Sequence, residues 1–263
     1  MASLRVALGQ IDIAWEDKEA NQKTCADFVD RVAATSDIIV FPEMTLTGFT
    51  MKVAENAEQS TGSTTRQFFL GLAKQARQWI IFGLVEKAKA TNKGKNMAYV
   101  LDPRGTVAAA YQKIHPFSFG KEDRFYQGGN KLGLFTVKGW KAAVVICYDL
   151  RFPGLFEVLA KHKPEVIFVI ANWPKARIAD WHALLRARAL DMQSYVVGVN
   201  RIGEGNGLQY SGGSEVYGPD GVLICQALSK EATVVVLEKT AVARRRKVFS
   251  SLADKKPGVY SRL

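Results

Sequence analysis

The chain is poor in cysteine and histidine, with three of each among 263 residues. Cys25, Cys147 and Cys225 are odd in number and widely spaced, which excludes a disulfide framework and a CxxC metal pair. Three histidines are too few for a dedicated zinc site, and no metal is expected. Long apolar runs are also absent. The longest, Ala142–Cys147, Val166–Ala171 and Ala232–Leu237, are strand-sized, well short of the ~18 residues of a membrane span. The N-terminal "MASLRVALGQID" carries Arg5 and no unbroken apolar stretch, so it reads as a strand and not as a signal peptide. The expected compartment is the cytoplasm. Repeats and low-complexity linkers are missing, and residues 1–263 read as one domain.

Acidic residues are outnumbered, leaving a formal charge of +11. Such an excess can attract nucleic acid or anionic substrates. Here the basic residues are scattered. The one dense run, "ARRRK" at 243–247, has no interleaved aromatics for base stacking. A solvated basic surface is the favoured reading, and no nucleic-acid partner is expected.

Against these absences stand many short apolar runs rich in Val, Ile and aromatics. They predict strands at 4–11, 37–41, 79–85, 97–101, 106–111, 142–147, 166–171, 195–200, 222–225 and 233–237. Helical spacing falls between several of them. Cys25, Phe28, Val29 and Val32 form one apolar face; Phe68, Phe69, Leu72, Ala73 and Ala76 form a second. Trp181, Leu184, Leu185, Ala189 and Met192 form a third. Alternating strands and helices indicate a layered α/β protein. Turn signals inside "YVLDPRGTVAAAY" and "EVYGPDGVLIC" add hairpins, so the sheets are mixed. The strands are too many for one simple open sheet, and two packed sheets with helices outside fit better. Cys25 and Cys225 lie in apolar patterns and are read as core.

Three buried strands end alike. "DIIVFPE" runs into Glu43, "AAVVICYD" into Cys147, and "EVIFVIANWP" into Asn172 and Trp173. Ligands of α/β sheets bind beyond the carboxyl ends of strands. If these strands are parallel neighbours, a carboxylate, a thiol and an amide converge on one pocket. A helix is predicted at 154–162, directly after Cys147. A sharp strand-to-helix turn exposes a nucleophile and frees the next backbone N–H, that of Tyr148, as an oxyanion donor. A free thiol, with a pKa of about 8.5, needs a base and a cation to activate it. Glu43 is the candidate base. Lys113 and His115, in "YQKIHPF", are the candidate cations, although spacing alone leaves Lys113 readable as an ordinary surface lysine. Trp173 reads equally as a core aromatic. Asp149 and Arg151 read as residues that pin the turn.

These residues resemble a known family. "FPEMTLTGF" (41–49), "YQKIHPF" (111–117) and "VICYDLRFP" (145–153) are similar to the three signature blocks of the nitrilase superfamily, the carbon–nitrogen hydrolases. The resemblance covers nearly the whole chain. It implies a four-layer α-β-β-α sandwich with two mixed sheets, catalytic Glu43, Lys113 and Cys147, and a supporting role for Glu122 in "GKEDRFYQGGN". It implies no metal or organic cofactor and a homo-oligomer, dimer or larger. "CYDLRFP", "ANWP" and "YSGGSEVYGPDG" look most like the omega-amidase branch. That branch hydrolyses the terminal amide of small monoamides such as 2-oxoglutaramate.

In this reading the partner is a small-molecule amide, attacked by Cys147 through a thioester. Asn172 and Trp173 line its pocket. Arg151, Arg177, Arg186, Arg188 and Arg201 are the cations open to a substrate carboxylate, with a structural ion pair favoured for Arg186 and Arg188. The alternatives are a deaminated-glutathione amidase, an N-carbamoyl hydrolase or a nitrilase with the same thiol, a cysteine–histidine hydrolase using His115 or His182, and a non-catalytic nucleic-acid binder.

Overall fold

Side chains alternate faces along a strand, and here both faces are covered. In the first strand Leu4, Val6 and Leu8 enter one core while Ala7 enters another. In the second, Ile38 and Val40 join the first core, and Ile39 and Phe41 the second. Strands buried on both faces lose the in/out polarity pattern and read as continuous apolar runs. The structure, a computed structural model, describes residues 3–227 and 232–260.

In chain order the elements are β1 (Ser3–Leu8), α1 (Lys18–Val32), β2 (Ile38–Val40), α2 (Val53–Asn56), α3 (Thr64–Ala76), β3 (Trp79–Lys87), β4 (Gly94–Leu101) and β5 (Val107–Gln112). Then come α4 (Glu122–Phe125), β6 (Gly133–Val137), β7 (Trp140–Ile146), α5 (Pro153–Ala160), β8 (Val166–Ala171), α6 (Ile178–Met192) and β9 (Tyr195–Asn200). The chain continues through β10 (Ile202–Gly205), β11 (Leu208–Ser211), β12 (Glu215–Tyr217), β13 (Leu223–Gln226), β14 (Thr233–Glu238), α7 (Lys239–Val248) and α8 (Pro257–Tyr260).

Two six-stranded mixed sheets result, in the orders β14-β1-β2-β3-β4-β5 and β13-β12-β9-β8-β7-β6. The core between them joins residues of β1, β2 and β4 to those of β7, β8 and β9. Helices α1 and α3 cover the outer face of the first sheet through Cys25, Phe28, Val29, Phe69 and Ala73. Helices α5 and α6 cover the second through Phe156, Leu159, Trp181, Leu185 and Met192. This is the α-β-β-α sandwich. Asp17 caps α1 by accepting from the Ala20 N–H, and Ser63 caps α3 by accepting from Arg66. Both anticipated hairpins form, as β4–β5 and β12–β13.

Three readings need correction. β2 is not a sheet neighbour of β7 and β8; it lies in the other sheet, so Glu43 faces Cys147 across the sandwich. Cys225 is only partly buried, because β13 is an edge strand with Leu223 and Ile224 exposed. β6, β10 and β11 lie outside the predicted strands. β6 is a half-exposed edge and the β10–β11 pair is glycine-rich and polar, so neither shows a strand's apolar run. The basic run lies on α7. Its Arg246 donates to the carbonyls of Gln193 and Pro164, tying α7 to the end of α6. No helix is long and apolar enough to cross a membrane among the described residues.

Candidate active site

β2 ends at Val40, and the next turn carries Glu43. Two bonds knit that turn to β3: the Gly83 N–H donates to Thr45 Oγ1 at 2.8 Å, and the Thr45 N–H to Gly83 O at 3.1 Å. A side chain at Gly83 would collide with the backbone of Glu43 and Met44, so glycine sets the approach. On the opposite sheet β7 ends at Ile146, and Cys147 opens a short 3₁₀ turn over Cys147–Arg151. Cys147 sits at φ 47°, in the left-handed region where a non-glycine residue is strained. The first N–H groups of a helical turn have no partner within it, which suits the Tyr148 N–H to the oxyanion role.

Lys113 follows β5, on a loop locked to the Cys147 turn by Asp149. The fully buried Asp149 carboxylate accepts from Tyr111 Oη at 2.7 Å, His115 N at 3.0 Å, His115 Nδ1 at 2.8 Å and Ile146 N at 3.2 Å. Tyr111 and His115 thus anchor the loop at Asp149, while Lys113 between them reaches Glu43 and Glu122. From α6, Arg188 donates through Nε and Nη2 to Leu150 O, both at 3.1 Å, holding the far end of the same turn. Asp149 and Arg188 fix the turn; Arg151 instead pairs with Asp180 at 2.6 Å.

Glu43, Lys113 and Glu122 meet with side chains at most 1% exposed. Lys113 Nζ donates to Glu43 Oε1 at 2.8 Å and to Glu122 Oε2 at 2.9 Å. Asn96 Nδ2 closes a ring, donating to Glu43 Oε1 at 2.6 Å and Glu122 Oε1 at 2.9 Å. The Asn172 N–H donates to Glu43 Oε2 at 2.9 Å, and Asn172 Nδ2 to Glu43 O at 2.6 Å. The Phe117 N–H donates to Glu122 Oε2 at 2.6 Å. The Cys147 thiol lies near enough to this cluster for its proton affinity to be set by Glu43, Lys113 and Glu122.

Burial alone would lower the Lys113 pKa, but Glu122, Glu43 and Cys147 outweigh it and hold the ammonium charged well above its ordinary value. Burial raises the Cys147 thiol, the nearby carboxylates raise it further, and Lys113 opposes them only in part. Burial and the charge of Glu43 also raise Glu122. The resting site therefore holds a neutral thiol beside an acceptor rather than a preformed thiolate. Among the described residues no His/Cys/Asp/Glu cluster could hold a metal ion.

Cys147 opens into a cleft of about 410 Å³, its open mouth included. Phe49, Phe117, Tyr148, Trp173 and Leu208 supply its apolar walls, and Asn172, Arg151, Arg177 and Tyr210 its polar groups. Trp173 fills both anticipated roles, lining the cleft while packing 5.4 Å from Trp181. Asn172 both lines the cleft and secures Glu43. Of the five arginines, Arg186 is exposed on α6, Arg188 is engaged at Leu150, and Arg201 is fully buried, donating to Ile13 O and Glu204 O. Arg151 and Arg177 reach the cleft. His115 stacks on Phe152 at 3.8 Å and His182 Nδ1 lies 2.8 Å from Glu215 Oε2; neither lines the cleft. Asn96 escapes a reading of the sequence because one polar residue at the start of a strand looks like an outward position.

The family model of the carbon–nitrogen hydrolases matches residues 5–245. The chain is 34% identical over 258 residues to a protein of Escherichia coli named omega-amidase YafV, covering 97% of each. It is 28% identical over 241 residues to a protein of Bacillus subtilis named 2-oxoglutaramate amidase, covering 89% of this chain and 92% of that one. Its fold superposes with a TM-score of 0.90 on a carbon–nitrogen hydrolase superfamily protein of Xanthomonas campestris, solved with an arsenic adduct in its active site. That pair shares 28% identity over 97% of this chain and 98% of the other. The sandwich, the three blocks and these matches agree: the chain belongs to the carbon–nitrogen hydrolase family.

Proposed function

We propose that the chain hydrolyses the terminal amide of a small carboxylic monoamide such as 2-oxoglutaramate, releasing ammonia through a thioester on Cys147. The observation that carries this reading is the buried cluster of Glu43, Lys113 and Glu122 beside Cys147, whose thiol lines the cleft. The names of the relatives in E. coli and B. subtilis support the substrate class.

Glu43 takes the thiol proton as sulfur bonds to the amide carbon. A neutral thiol with a carboxylate acceptor suits this concerted route. Lys113 has three N–H donors, and two are engaged by Glu43 and Glu122. The third, with the Tyr148 N–H, holds the tetrahedral oxyanion. Glu43 returns its proton to the leaving nitrogen, and the carbon–nitrogen bond breaks. Water then attacks the thioester, Glu43 takes a water proton, and the carbon–sulfur bond breaks as that proton returns to sulfur. Glu122 orients Lys113. Asn172 Oδ1, buried with no hydrogen bond to a described residue, accepts from the substrate amide nitrogen. Arg177, which makes no ion pair with a described residue and lies 5.3 Å over the Phe117 ring, receives the substrate carboxylate.

Incubation with 2-oxoglutaramate, other small amides and nitriles, read by ammonia release, tests the reading. The expected result is turnover of the carboxylate-bearing monoamides that vanishes in Cys147→Ala. Release of ammonia from none of them overturns it.

A further inference from the structure

The β10–β11 hairpin forms one wall of the cleft through Leu208 and Tyr210. Tyr210 is 5% exposed, and its hydroxyl makes no hydrogen bond to a described residue. The ring is buried while the hydroxyl opens to the cleft, where it is free to meet a ligand. Its ring is fixed from behind. Tyr210 pairs with Gly203 across the hairpin, and the Arg201 guanidinium stands 4.5 Å from its centroid. Arg201 is itself held by Ile13 O at 2.7 Å and Glu204 O at 2.9 Å. The hydroxyl lies within reach of the charges of Arg201, Glu43 and Arg177. Burial pushes its pKa up to about 12, so at neutral pH it is a neutral donor.

The other lining groups narrow the role. Phe49, Phe117 and Leu208 cannot donate. Trp173 Nε1 donates to Arg177 O, Asn172 Nδ2 to Glu43 O, and Arg151 to Asp180. The Tyr148 ring packs against Phe117 and Phe152, 4.9 and 5.0 Å between centroids. Tyr210 and Arg177 carry side-chain donors with no hydrogen bond or ion pair to a described residue, beside the unused N–H groups of Arg151 and Asn172. A carboxylate offers about four lone-pair sites, more than one guanidinium fork fills.

We infer that Tyr210 is a specificity-determining residue whose hydroxyl, together with Arg177, binds the carboxylate end of the substrate. This rests on the monoamide reading above. It also accounts for why the wall is a hairpin clamped by a buried arginine: a donor that selects must not move.

The test compares kcat/KM for succinamate and butyramide, amides of equal carbon count that differ in the distal carboxylate. The wild-type protein and Tyr210→Phe are measured side by side; phenylalanine keeps the ring against Arg201. The succinamate-to-butyramide ratio should fall about tenfold in Tyr210→Phe, chiefly through KM for succinamate. Product binding offers a second measure, with succinate binding Tyr210→Phe about tenfold more weakly by calorimetry. A purely structural role would lower both amides alike. Ammonia from both amides with an unchanged ratio in Tyr210→Phe overturns this inference alone. No ammonia from either amide in the wild-type protein overturns the monoamide reading with it.

Discussion

Two carboxylates and one ammonium share a space nearly closed to water, and each needs donors to stay there. Lys113 serves both acids, and the Asn96 amide serves both again. His115 acts elsewhere. Its ring and backbone hold Asp149, behind the turn that bears the thiol. Substituting each by alanine therefore separates the roles. Lys113→Ala should lower kcat by about 10³-fold or more, through loss of the oxyanion donor and an unpaired pair of acids. His115→Ala should keep most of the activity and lower the thermal midpoint. Steady-state ammonia release beside a melting curve decides between them. A severe histidine effect with a mild lysine effect would restore the cysteine–histidine scheme.

At the scale of elements, the site is two turns facing each other from separate sheets. Met44 beside Glu43 and Cys147 itself both adopt positive φ, 45° and 47°. Each turn leaves its strand abruptly and presents a side chain to the gap. Gly83 permits this on the Glu43 side. Gly83→Ala puts a methyl within 2.9 Å of Glu43 Cα, so it should cost about 1–3 kcal/mol of stability and shift Glu43 enough to lower kcat at least about tenfold. Wild-type kcat in a folded Gly83→Ala would refute that account of the turn. The strand ends were legible because Pro42, the Tyr148-Asp149 pair and Asn172 end apolar runs with groups a sheet interior seldom holds. Which sheet each strand joins was not legible, because strands buried on both faces carry no mark of their neighbours. Tyr210 was hidden for another reason: its hairpin has glycine at 203, 205, 207 and 212 and no apolar run, so it reads as loop.

At the scale of the molecule, buried ionisable groups set the pH range of stability. Asp37, between Arg5 and Lys138, and Glu58, bonded by Lys18, Ser63 and Thr65, are each held at about 2 despite burial. Their contribution is present above their ordinary values of 3.8 and 4.5 and is lost as pH falls towards 2. Cys25 and Cys147 are raised well above 9.0, chiefly by burial. Above pH 9.0 the unfolded chain releases thiol protons that the folded chain keeps, so stability falls as pH rises. Thermal midpoints should be level from about pH 5 to 8 and decline on either side; a midpoint still climbing from about pH 8 to 10 would contradict this.

The two sheets bring a thiol and an acid together across the sandwich, and the proposed thioester would leave a trace on the intact chain. Rapid acid quench of the protein during turnover of 2-oxoglutaramate, followed by intact mass measurement, reads that trace. The expected result is a mass gain of one acyl group, located on Cys147 and absent in Cys147→Ala, with ammonia released before the acid product. Turnover that continues in Cys147→Ala, or an acyl group found on another residue, would contradict the thioester mechanism.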